Sequence, residues 1–303
     1  MGEPAGIGPE VAVAAFNALG GRVGNRELLL VGTPEVFASC GKVPESSVLA
    51  TKAVAKRVPA KPDGANAAAT IEAIALAVDK AIGGEAGGLV TAPINKAVLM
   101  QTGFRFPGHT DYLAHLTSTP HAVMMLASEA IRVVPLTVHV PLAVVPRLIT
   151  LHAIIDTAEV VFAALRRDFG IAAPRLAVAG LNPHAGEGGE LGHEENDVIR
   201  PAIAELKRRG HAVEGPLPSD TMFHEEARAR YDAALCMYHD QALIPIKTLS
   251  FWEGVNVTLG IPIVRTSPDH GTAFEIAGRG IADPRSMIAA VKLAAKMADA
   301  RAR

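Results

Sequence analysis

Short apolar runs alternate with segments of helical periodicity along most of the chain. The runs that predict buried strands are Arg26–Gly32, Gly88–Ala92, His121–Ala127, Ile131–Val140, Arg175–Leu181, Ala233–Tyr238 and Val255–Gly260. Apolar residues at helical spacing predict helices over Ala65–Ile82, Ile154–Arg167, Glu194–Arg209 and Pro284–Arg301. Strands that alternate with helices in this way are typical of an α/β fold with mostly parallel sheets.

Two glycine-bearing stretches, Gly103–Gly108 and Gly254–Gly260, are the best candidates for crossings between domains. No repeat or low-complexity linker marks a boundary elsewhere. We therefore expect one lobe from residues 1–103 and 257–303, a second from residues 104–256, and a cleft between the two.

Composition narrows the class of protein. The 303 residues are 49% hydrophobic and 20% charged, with a net charge of −2, which indicates a well-buried globular chain. No basic stripe supports nucleic-acid binding, and no apolar run is long enough for a membrane span. Cys40 and Cys236 are expected to be free thiols in a reducing compartment. Without a signal-peptide pattern, we expect a cytoplasmic protein.

Three histidines, His139, His184 and His239, each follow an apolar run at the place where a predicted strand ends. Ligands bind at the carboxyl ends of strands in open α/β sheets, and imidazole is both a common metal ligand and an acid–base group near neutral pH. A metal site is therefore one interpretation. The other is that each histidine is a structural residue, because their wide separation differs from the short spacing of local zinc motifs. The sequence leaves both open.

Two carboxylates accompany these histidines. Asp220 lies in the turn Pro218–Thr221. There it either caps a helix or approaches the histidines, as a base or as a carboxylate that hydrogen-bonds to a metal-binding histidine. Asp240 directly follows His239 after an apolar run.

Other polar residues suit an anionic ligand, although each also has a structural interpretation. His109 and Thr110 enter a helix after a glycine-led turn, where they either cap the helix or donate to an anion at its amino end. Lys247, Asn256 and Arg265 flank apolar runs. Singly they are ordinary solvated or capping residues, and as a set they form a clamp for phosphate or carboxylate.

The segment Met1–Glu10 predicts a glycine-rich turn that opens a helix. The amides of such a turn suit an anion. The pattern around Gly6 and Gly8 nevertheless lacks the third glycine and the preceding strand of a dinucleotide fingerprint. We expect that a native strand lies upstream of Met1.

The segment Ser267–Pro284 resembles the adenosine-binding loop of the isocitrate and isopropylmalate dehydrogenase superfamily, which binds NAD without that fingerprint. Essentially the whole chain is similar to one family, the 4-hydroxythreonine-4-phosphate dehydrogenases of pyridoxal phosphate biosynthesis. The stretches that match in order are Gly2–Glu10, Thr91–Lys96, Pro107–Asp111, Thr137–Leu142, Leu181–Gly189, Pro218–Phe223, Tyr238–Gln241 and Asn256–Pro284.

The resemblance implies a two-lobed α/β fold like that of the superfamily, with the lobe of residues 1–103 and 257–303 on the cofactor side. The lobe of residues 104–256 then carries metal, substrate and the dimer contact. It implies a divalent metal on His139, His184 and His239, with zinc expected and cobalt or magnesium as alternatives. One of these histidines is expected from the partner subunit of a homodimer with shared active sites.

The resemblance also implies the remaining site residues. Those expected to bind substrate are His109, Thr110, Lys247, Asn256 and Arg265, with Asp220, Asp240 or a metal-linked water as the base. Those expected to bind NAD, or NADP, are His270, Gly271, Thr272, Ala273, Glu275 and Asp283.

The reaction implied is oxidation of 4-phosphohydroxy-L-threonine to a 3-oxo acid, followed by decarboxylation to 3-amino-1-hydroxyacetone phosphate. Three alternatives stay open. A related dehydrogenase acts on a phosphorylated sugar acid, such as 4-phospho-threonate or 4-phospho-erythronate, or on an aromatic dihydrodiol carboxylate. A metal-dependent phosphate-ester hydrolase uses the same histidines but has no need for an adenosine loop. A non-catalytic binding protein has no need for so many ionisable residues at strand ends.

Overall fold

Two units, each built around parallel strands, make up the fold of this computed structural model, which describes residues 1–302. Unit 1 comprises Met1–Ala122 together with the chain from Ile261 onward, and unit 2 comprises Val123–Gly260. The α/β class predicted from the sequence is confirmed. The lobes predicted from the glycine-bearing stretches have different boundaries, 103/104 and 256/257, and remain a prediction.

The elements alternate along the chain as α/β folds require. The helices are α1 (Gly8–Ala18), α2 (Pro34–Ala38), α3 (Ala67–Ile82), α4 (Lys96–Gln101), α5 (His109–Leu116), α6 (Val145–Leu148), α7 (Leu151–Arg167), α8 (Arg200–Arg208), α9 (Glu225–Arg228), α10 (His239–Leu249) and α11 (Arg285–Arg301). The strands are β1 (Arg22–Val23), β2 (Arg26–Glu27), β3 (Leu30–Gly32), β4 (Val48–Ala50), β5 (Leu89–Val90), β6 (Val123–Ala127), β7 (Arg132–Pro135), β8 (Arg175–Ala179), β9 (Ala212–Leu217), β10 (Ala233–Cys236), β11 (Val255–Leu259) and β12 (Arg265–Pro268).

The strands of unit 2 lie in the order β11, β6, β7, β10, β8, β9. The strands β7, β10, β8 and β9 are parallel to one another, and β6 runs antiparallel to both of its neighbours. Every residue of β10 is fully buried, because this central strand is covered on both faces. On one face Ala234 and Cys236 pack with Ala242 and Ile246 of α10.

Unit 1 contains two parallel strand pairs, β3 with β4 and β5 with β12, and the antiparallel pair β1 with β2. Apolar side chains of α3 and α5 pack with those of β5 in one cluster. A second cluster joins Val11 and Ala15 of α1 to Met287 of α11. Thr266 of β12 donates from Oγ1 to the carbonyl oxygen of Ala290, which fixes α11 on the strand.

The predicted strands and helices are present, with several changes at their ends. The run Arg26–Gly32 forms two strands instead of one, and the predicted strand Ile131–Val140 ends at Pro135. The predicted helix Glu194–Arg209 begins with a π-helical turn over Glu195–Ile199. Among residues 1–302, no single helix has the length and apolar character to cross a membrane; the bent pair Leu142–Leu148 and Leu151–Arg167 meets those two criteria together.

Candidate functional site

The parallel strands of unit 2 bring four sequence-predicted site residues to one edge of the sheet. Since β7, β10, β8 and β9 are adjacent and parallel, their carboxyl ends share an edge. His139 follows β7, His239 follows β10, His184 follows β8 and Asp220 follows β9. We call this the histidine edge. It is the place where open α/β sheets bind ligands.

Two of the imidazoles are close neighbours. The ring centroids of His139 and His239 lie 5.6 Å apart, with 43° between the ring planes. His239 is the first residue of α10, and its Nδ1 lies 2.7 Å from Oδ1 of Asp240. A carboxylate on one ring nitrogen fixes the tautomer and leaves the other nitrogen for a metal, which is the usual arrangement around a metal-binding histidine.

His184 lies apart from this pair on an exposed loop. Its side chain is 65% exposed, and its Nδ1 lies 3.6 Å from Oε2 of Glu187. Five successive residues, His184 to Gly188, have positive φ, which is unusual for the non-glycine members. In the described part of the chain no group of three His, Cys, Asp or Glu side chains is placed to hold a metal ion. The convergence of the three histidines therefore stays a prediction.

A buried glutamate that the sequence analysis missed holds this strained loop. Glu195 is 1% exposed, and its Oε1 accepts hydrogen bonds of 2.8 Å and 2.7 Å from the backbone N–H groups of Leu181 and Asn182. Its Oε2 accepts a third, of 2.9 Å, from Nδ2 of Asn182. A Cβ at Gly186 would lie only 2.6 Å from Oε2 of Glu195, so this position requires glycine. The sequence signal for Glu195 was weak, because a glutamate in a helical pattern usually faces water.

Two further polar side chains that the sequence analysis missed connect the ends of the strands. Thr137 donates from Oγ1 to the carbonyl oxygen of Met237 at 2.8 Å, which joins the end of β7 to the end of β10. Gln241 is 6% exposed; it accepts from the Met237 N–H and donates to the carbonyl oxygen of Gly180. These buried bonds position the segments that carry the histidines.

Asp220 and Asp240 are both accessible, as a base requires. Asp220 lies in an exposed turn, and the side chain of Asp240 is 71% exposed. Asp240 contacts His239, whereas Asp220 reaches the histidine edge only through the position of its strand.

Lys247 and Asn256 lie away from the histidine edge within unit 2. Lys247 is eight residues beyond His239 in α10, a rise of roughly 12 Å along the helix axis, and its Nζ lies 5.3 Å from the centroid of the Phe251 ring. Asn256 pairs with Leu126, which pairs in turn with Val133 near the amino end of β7. The Oδ1 atom of Asn256 is buried and has no hydrogen-bond partner among the described residues, so it is available to a ligand.

Unit 1 carries a second group of predicted residues, suited to an anion. Arg265 is 3% exposed, and its Nη2 donates to Oγ1 of Thr91 at 2.6 Å. Burial lowers the pKa of Arg265 to about 10, so the guanidinium stays charged at neutral pH. Burial, together with nearby positive charges that include Arg265, holds the pKa of His109 well below its usual value. The Nε2 atom of His109 is buried without a hydrogen-bond partner among the described residues.

Thr110 belongs to the same region of unit 1, in the first turn of α5. The helix begins after Gly108, and no side chain caps its amino end. Uncapped N–H groups at a helix amino end favour an anion. The arrangement of a buried cation, a neutral imidazole and this helix end supports the anion interpretation over a purely structural one.

The predicted cofactor loop, Ser267–Pro284, is fastened to α1 within unit 1. The Ile7 N–H donates to the carbonyl oxygen of Thr272 at 2.9 Å, and a Cβ at Gly6 would lie 2.7 Å from that oxygen. Oε1 of Glu10 accepts a hydrogen bond of 2.6 Å from the Gly278 N–H and also contacts Arg57. The glycine-rich turn at the start of the chain therefore supports the loop directly.

The residues predicted to bind the cofactor differ in exposure and in the free space around them. A Cβ at Gly271 would meet no atom within 4 Å, and Ala273 is left-handed with φ 44°. The Nε2 atom of His270 is buried without a partner among the described residues. These features leave room and polar groups for a dinucleotide. Glu275 is exposed.

Asp283 has a structural role in this fold. Its Oδ1 accepts from the backbone N–H of Arg285 at 2.9 Å, and the guanidinium of Arg285 holds the pKa of Asp283 below its usual value. The side chain thus orders the start of α11. Its role toward the cofactor stays a prediction.

A cavity of about 650 Å³ in unit 1 is a mainly apolar space among α1, α3, α11 and β3. His109 and Thr91 are among its lining residues. Its apolar walls do not suit a phosphorylated substrate.

Comparisons with known proteins match nearly the whole chain. The model of the family described as pyridoxal phosphate biosynthetic protein PdxA matches residues 10–294. The 4-hydroxythreonine-4-phosphate dehydrogenase of Paracoccus denitrificans (strain Pd 1222) is 55% identical, and the match covers 99% of this chain and 97% of that protein.

Solved structures agree with this match. The crystal structure of 4-hydroxythreonine-4-phosphate dehydrogenase from Klebsiella pneumoniae has a TM-score of 0.85 and 34% identity, over 98% of each chain. The terephthalate 1,2-cis-dihydrodiol dehydrogenase from Burkholderia xenovorans LB400 has a TM-score of 0.69 and 26% identity, over 98% of this chain and 96% of that chain. Both likenesses confirm the predicted fold class.

Proposed function

This chain belongs to the family of pyridoxal phosphate biosynthetic protein PdxA, and on that premise we propose that it oxidises 4-phosphohydroxy-L-threonine with a nicotinamide cofactor. It is an oxidoreductase that acts on a CH–OH group. The product, 2-amino-3-oxo-4-phosphobutanoate, loses carbon dioxide to give 3-amino-1-hydroxyacetone phosphate. One observation carries the proposal: the full-length identity of 55% to an enzyme named for this reaction.

Residues of unit 1 are proposed to bind the negatively charged phosphate group of the substrate. Arg265 offers a buried guanidinium that Thr91 orients, His109 offers a neutral ring nitrogen, and Thr110 lies at the amino end of α5. Such donors bind a phosphate dianion with geometric specificity. Lys247, as a point charge, and Asn256, through its buried amide, are also proposed to bind substrate.

The donor set at the histidine edge fits a divalent metal. His139 and His239 offer two imidazoles with ring centroids 5.6 Å apart, and Asp240 orients the second. Imidazole ligands suit zinc best, cobalt next and magnesium least. When bound, such a metal lowers the pKa of the substrate hydroxyl. The protein's own part is to accept the hydroxyl proton, for which the accessible carboxylates of Asp240 and Asp220 are the candidates.

The loop Ser267–Pro284 fits the nicotinamide cofactor, with NAD expected ahead of NADP. Open space at Gly271, the left-handed turn at Ala273 and the buried Nε2 of His270 support this assignment. When bound, the cofactor accepts the hydride. The chain's part is to orient it through Thr272, which α1 holds in place.

We propose a homodimer in which each site takes residues from both subunits, with His184 reaching the partner's histidine edge. Two features support this. His184 is 65% exposed on a loop that is held rigidly from behind by Glu195. Unit 2 also exposes large apolar side chains, which are common at interfaces between subunits: Leu142, Leu148, Ile244, Phe251 and Trp252. We expect the enzyme in the cytoplasm.

A turnover assay tests the activity. The purified chain is treated with a chelator, reloaded with zinc, cobalt or magnesium, and supplied with 4-phosphohydroxy-L-threonine and either NAD or NADP, while reduced cofactor is followed by its absorbance. We expect the highest rate with zinc and NAD. Faster turnover of 4-phospho-threonate, or of the terephthalate dihydrodiol, assigns the chain to that substrate instead. Release of inorganic phosphate without reduced cofactor indicates a hydrolase.

A variant pair tests the metal ligands. His184→Ala is expected to weaken zinc binding and turnover sharply while the fold remains intact, and His152→Ala, at an exposed position of α7, serves as the control. Asp240→Asn is expected to weaken zinc binding by about 10–100-fold, because it removes the carboxylate that orients His239. Wild-type metal content and activity in His184→Ala contradict the assignment.

A further inference from the structure

Lys96 lies beside the proposed phosphate-binding residues of unit 1. It is the first residue of α4, and the preceding Asn95 caps that helix by accepting from the Val98 N–H at 3.2 Å. The cap fixes the backbone from which the lysine side chain extends. Within residues 1–302, the side chain of Lys96 forms no hydrogen bond and no ion pair, so no protein carboxylate neutralises its ammonium charge.

The ammonium group of Lys96 lies at the amino end of α5. A Cβ built on Gly108, the residue before this helix, would lie 3.5 Å from Nζ and 3.4 Å from Cε of Lys96. Gly108 has an extended φ of −176°, and a Cβ there would be in ordinary van der Waals contact with the lysine. Lys96 therefore lies against a helix end with uncapped N–H groups.

The same place contains a buried polar atom that no protein group satisfies. The Nε2 atom of His109, the first residue of α5, is buried and has no partner among the described residues. Lys96 and Arg265 are both close enough to disfavour a positive charge on this imidazole. The neutral ring, the two nearby cations and the helix amino end together favour the binding of an anion.

We propose that Lys96 is a substrate-binding residue that completes, with His109, Arg265 and the amino end of α5, the site for the phosphate group of the substrate. This inference rests on the proposed function and extends it by one residue. One carboxylate opposes the site: Oδ2 of Asp111 lies 4.0 Å from the Cβ position built on Gly108. The two positive charges of Lys96 and Arg265 outnumber the single negative charge of Asp111.

The number of donors favours phosphate over the carboxylate of the same substrate. Arg265, whose Nε and Nη2 donate to Oγ1 of Thr91, supplies a buried positive charge, Lys96 acts as a point charge, and His109 and the helix end add further polar groups. A carboxylate has two oxygens and one charge, so it leaves part of this set unused. A phosphate monoester has three terminal oxygens and close to two charges at neutral pH.

Binding of inorganic phosphate to the full-length chain provides the direct test, measured by titration calorimetry without substrate or cofactor. Lys96→Gln is expected to weaken phosphate binding by about 10–100-fold, the loss that corresponds to one hydrogen bond to a charged group. Lys96→Arg keeps the charge and is expected to restore most of the affinity. Lys80→Gln is the matched control, because Lys80 pairs with Glu85 on the exposed surface of the same unit.

Two substrates distinguish a phosphate contact from a general loss of activity. Lys96→Gln is expected to raise KM for 4-phosphohydroxy-L-threonine by a similar factor, with a smaller change in kcat, and to lower kcat/KM for the unphosphorylated 4-hydroxy-L-threonine by a smaller factor. Equal losses for the two substrates overturn the proposal.

Asp111→Asn tests the competing explanation that Lys96 serves only to neutralise Asp111. Under our proposal this variant binds phosphate more tightly, since it removes a repelling charge. Unchanged phosphate affinity in both Lys96→Gln and Asp111→Asn overturns the inference. If the chain binds phosphate through Lys96 but does not oxidise the phosphorylated substrate, the proposed reaction fails while the phosphate site stands.

Discussion

Gln241 donates a hydrogen bond of 2.7 Å from Nε2 to the carbonyl oxygen of Gly180, just after β8 ends. The Oε1 atom of the same side chain accepts a bond of 2.6 Å from the Met237 N–H, just after β10 ends. One buried amide therefore fixes two strand ends relative to each other. His184 follows the first end and His239 the second, so Gln241 determines where two predicted metal ligands leave the sheet.

Replacing this amide is expected to destabilise unit 2. Gln241→Leu leaves the Gly180 carbonyl and the Met237 N–H buried without partners, and each such group costs about 1–3 kcal/mol. We expect the free energy of unfolding, measured by urea denaturation, to fall by about 2–5 kcal/mol. Gln101→Leu, at the exposed end of α4, is the control. A change in Gln241→Leu that is no larger than in this control contradicts the role assigned to Gln241.

Glu195 is expected to protect the start of the His184 loop from opening. Glu195→Gln leaves only one acceptor oxygen for the three N–H donors that now bind the carboxylate. We expect hydrogen exchange at the amides of Leu181 and Asn182 to accelerate by about tenfold or more, in line with the loss of a bond to a charged group. Glu225→Gln, on the exposed surface of α9, should leave both rates unchanged. Equal exchange rates in the two variants refute the proposed support.

His109 is expected to make stability depend on pH in a defined window. Because its pKa is lowered in the folded chain, the unfolded chain binds a proton near pH 6.5 that the folded chain does not. The stability contribution is complete above about pH 6.5 and is lost as pH falls toward the folded pKa, by up to about 1.4 kcal/mol per pH unit. Denaturation of wild type and His109→Asn between about pH 7 and pH 5 should show a shallower loss in the variant. Parallel curves for the two proteins exclude this titration, and His152→Asn is the control for an exposed histidine.

Glu10 is expected to act on cofactor binding without contacting the cofactor. Its Oε1 accepts from the Gly278 N–H in the cofactor loop and faces Arg57. Glu10→Gln removes the charge from this contact, so we expect KM for NAD to rise by about tenfold, the cost of one charged hydrogen bond, while KM for the substrate stays constant. Glu72→Gln is a suitable control, because Glu72 also binds backbone N–H groups of unit 1 but outside the loop. A parallel rise in both KM values indicates general damage instead.

The strand pattern made much of unit 2 predictable. β10 and β8 are buried parallel strands, so they appear in the sequence as continuous apolar runs with a polar residue after each. The apolar runs overestimated the lengths of the strands. β7 ends at Pro135, and the side chain of Thr137 beyond it donates a hydrogen bond to the carbonyl oxygen of Met237. The helix α10 was not predicted, because Pro245 interrupts its pattern.

The supporting residues of the site were not predictable from the chain alone. Glu195, Gln241 and Lys96 are polar residues in helical segments, a pattern that normally indicates a solvated face. Only the fold shows that the first two are buried against strand ends and that the third lies beside Gly108. The distance from Asn256 to the histidine edge likewise depends on strand register, which the sequence does not specify.

The burial of Cys236 has a practical consequence. This thiol lies in the central strand β10 with no exposed surface, and burial raises its pKa, so it does not react while the sheet is intact. Cys40 is partly exposed, so its alkylation serves as an internal control for the activity of the reagent. Alkylation of Cys236 therefore records how often the strands beneath the histidines separate, and comparing its rate with and without zinc measures how strongly a bound ion rigidifies them.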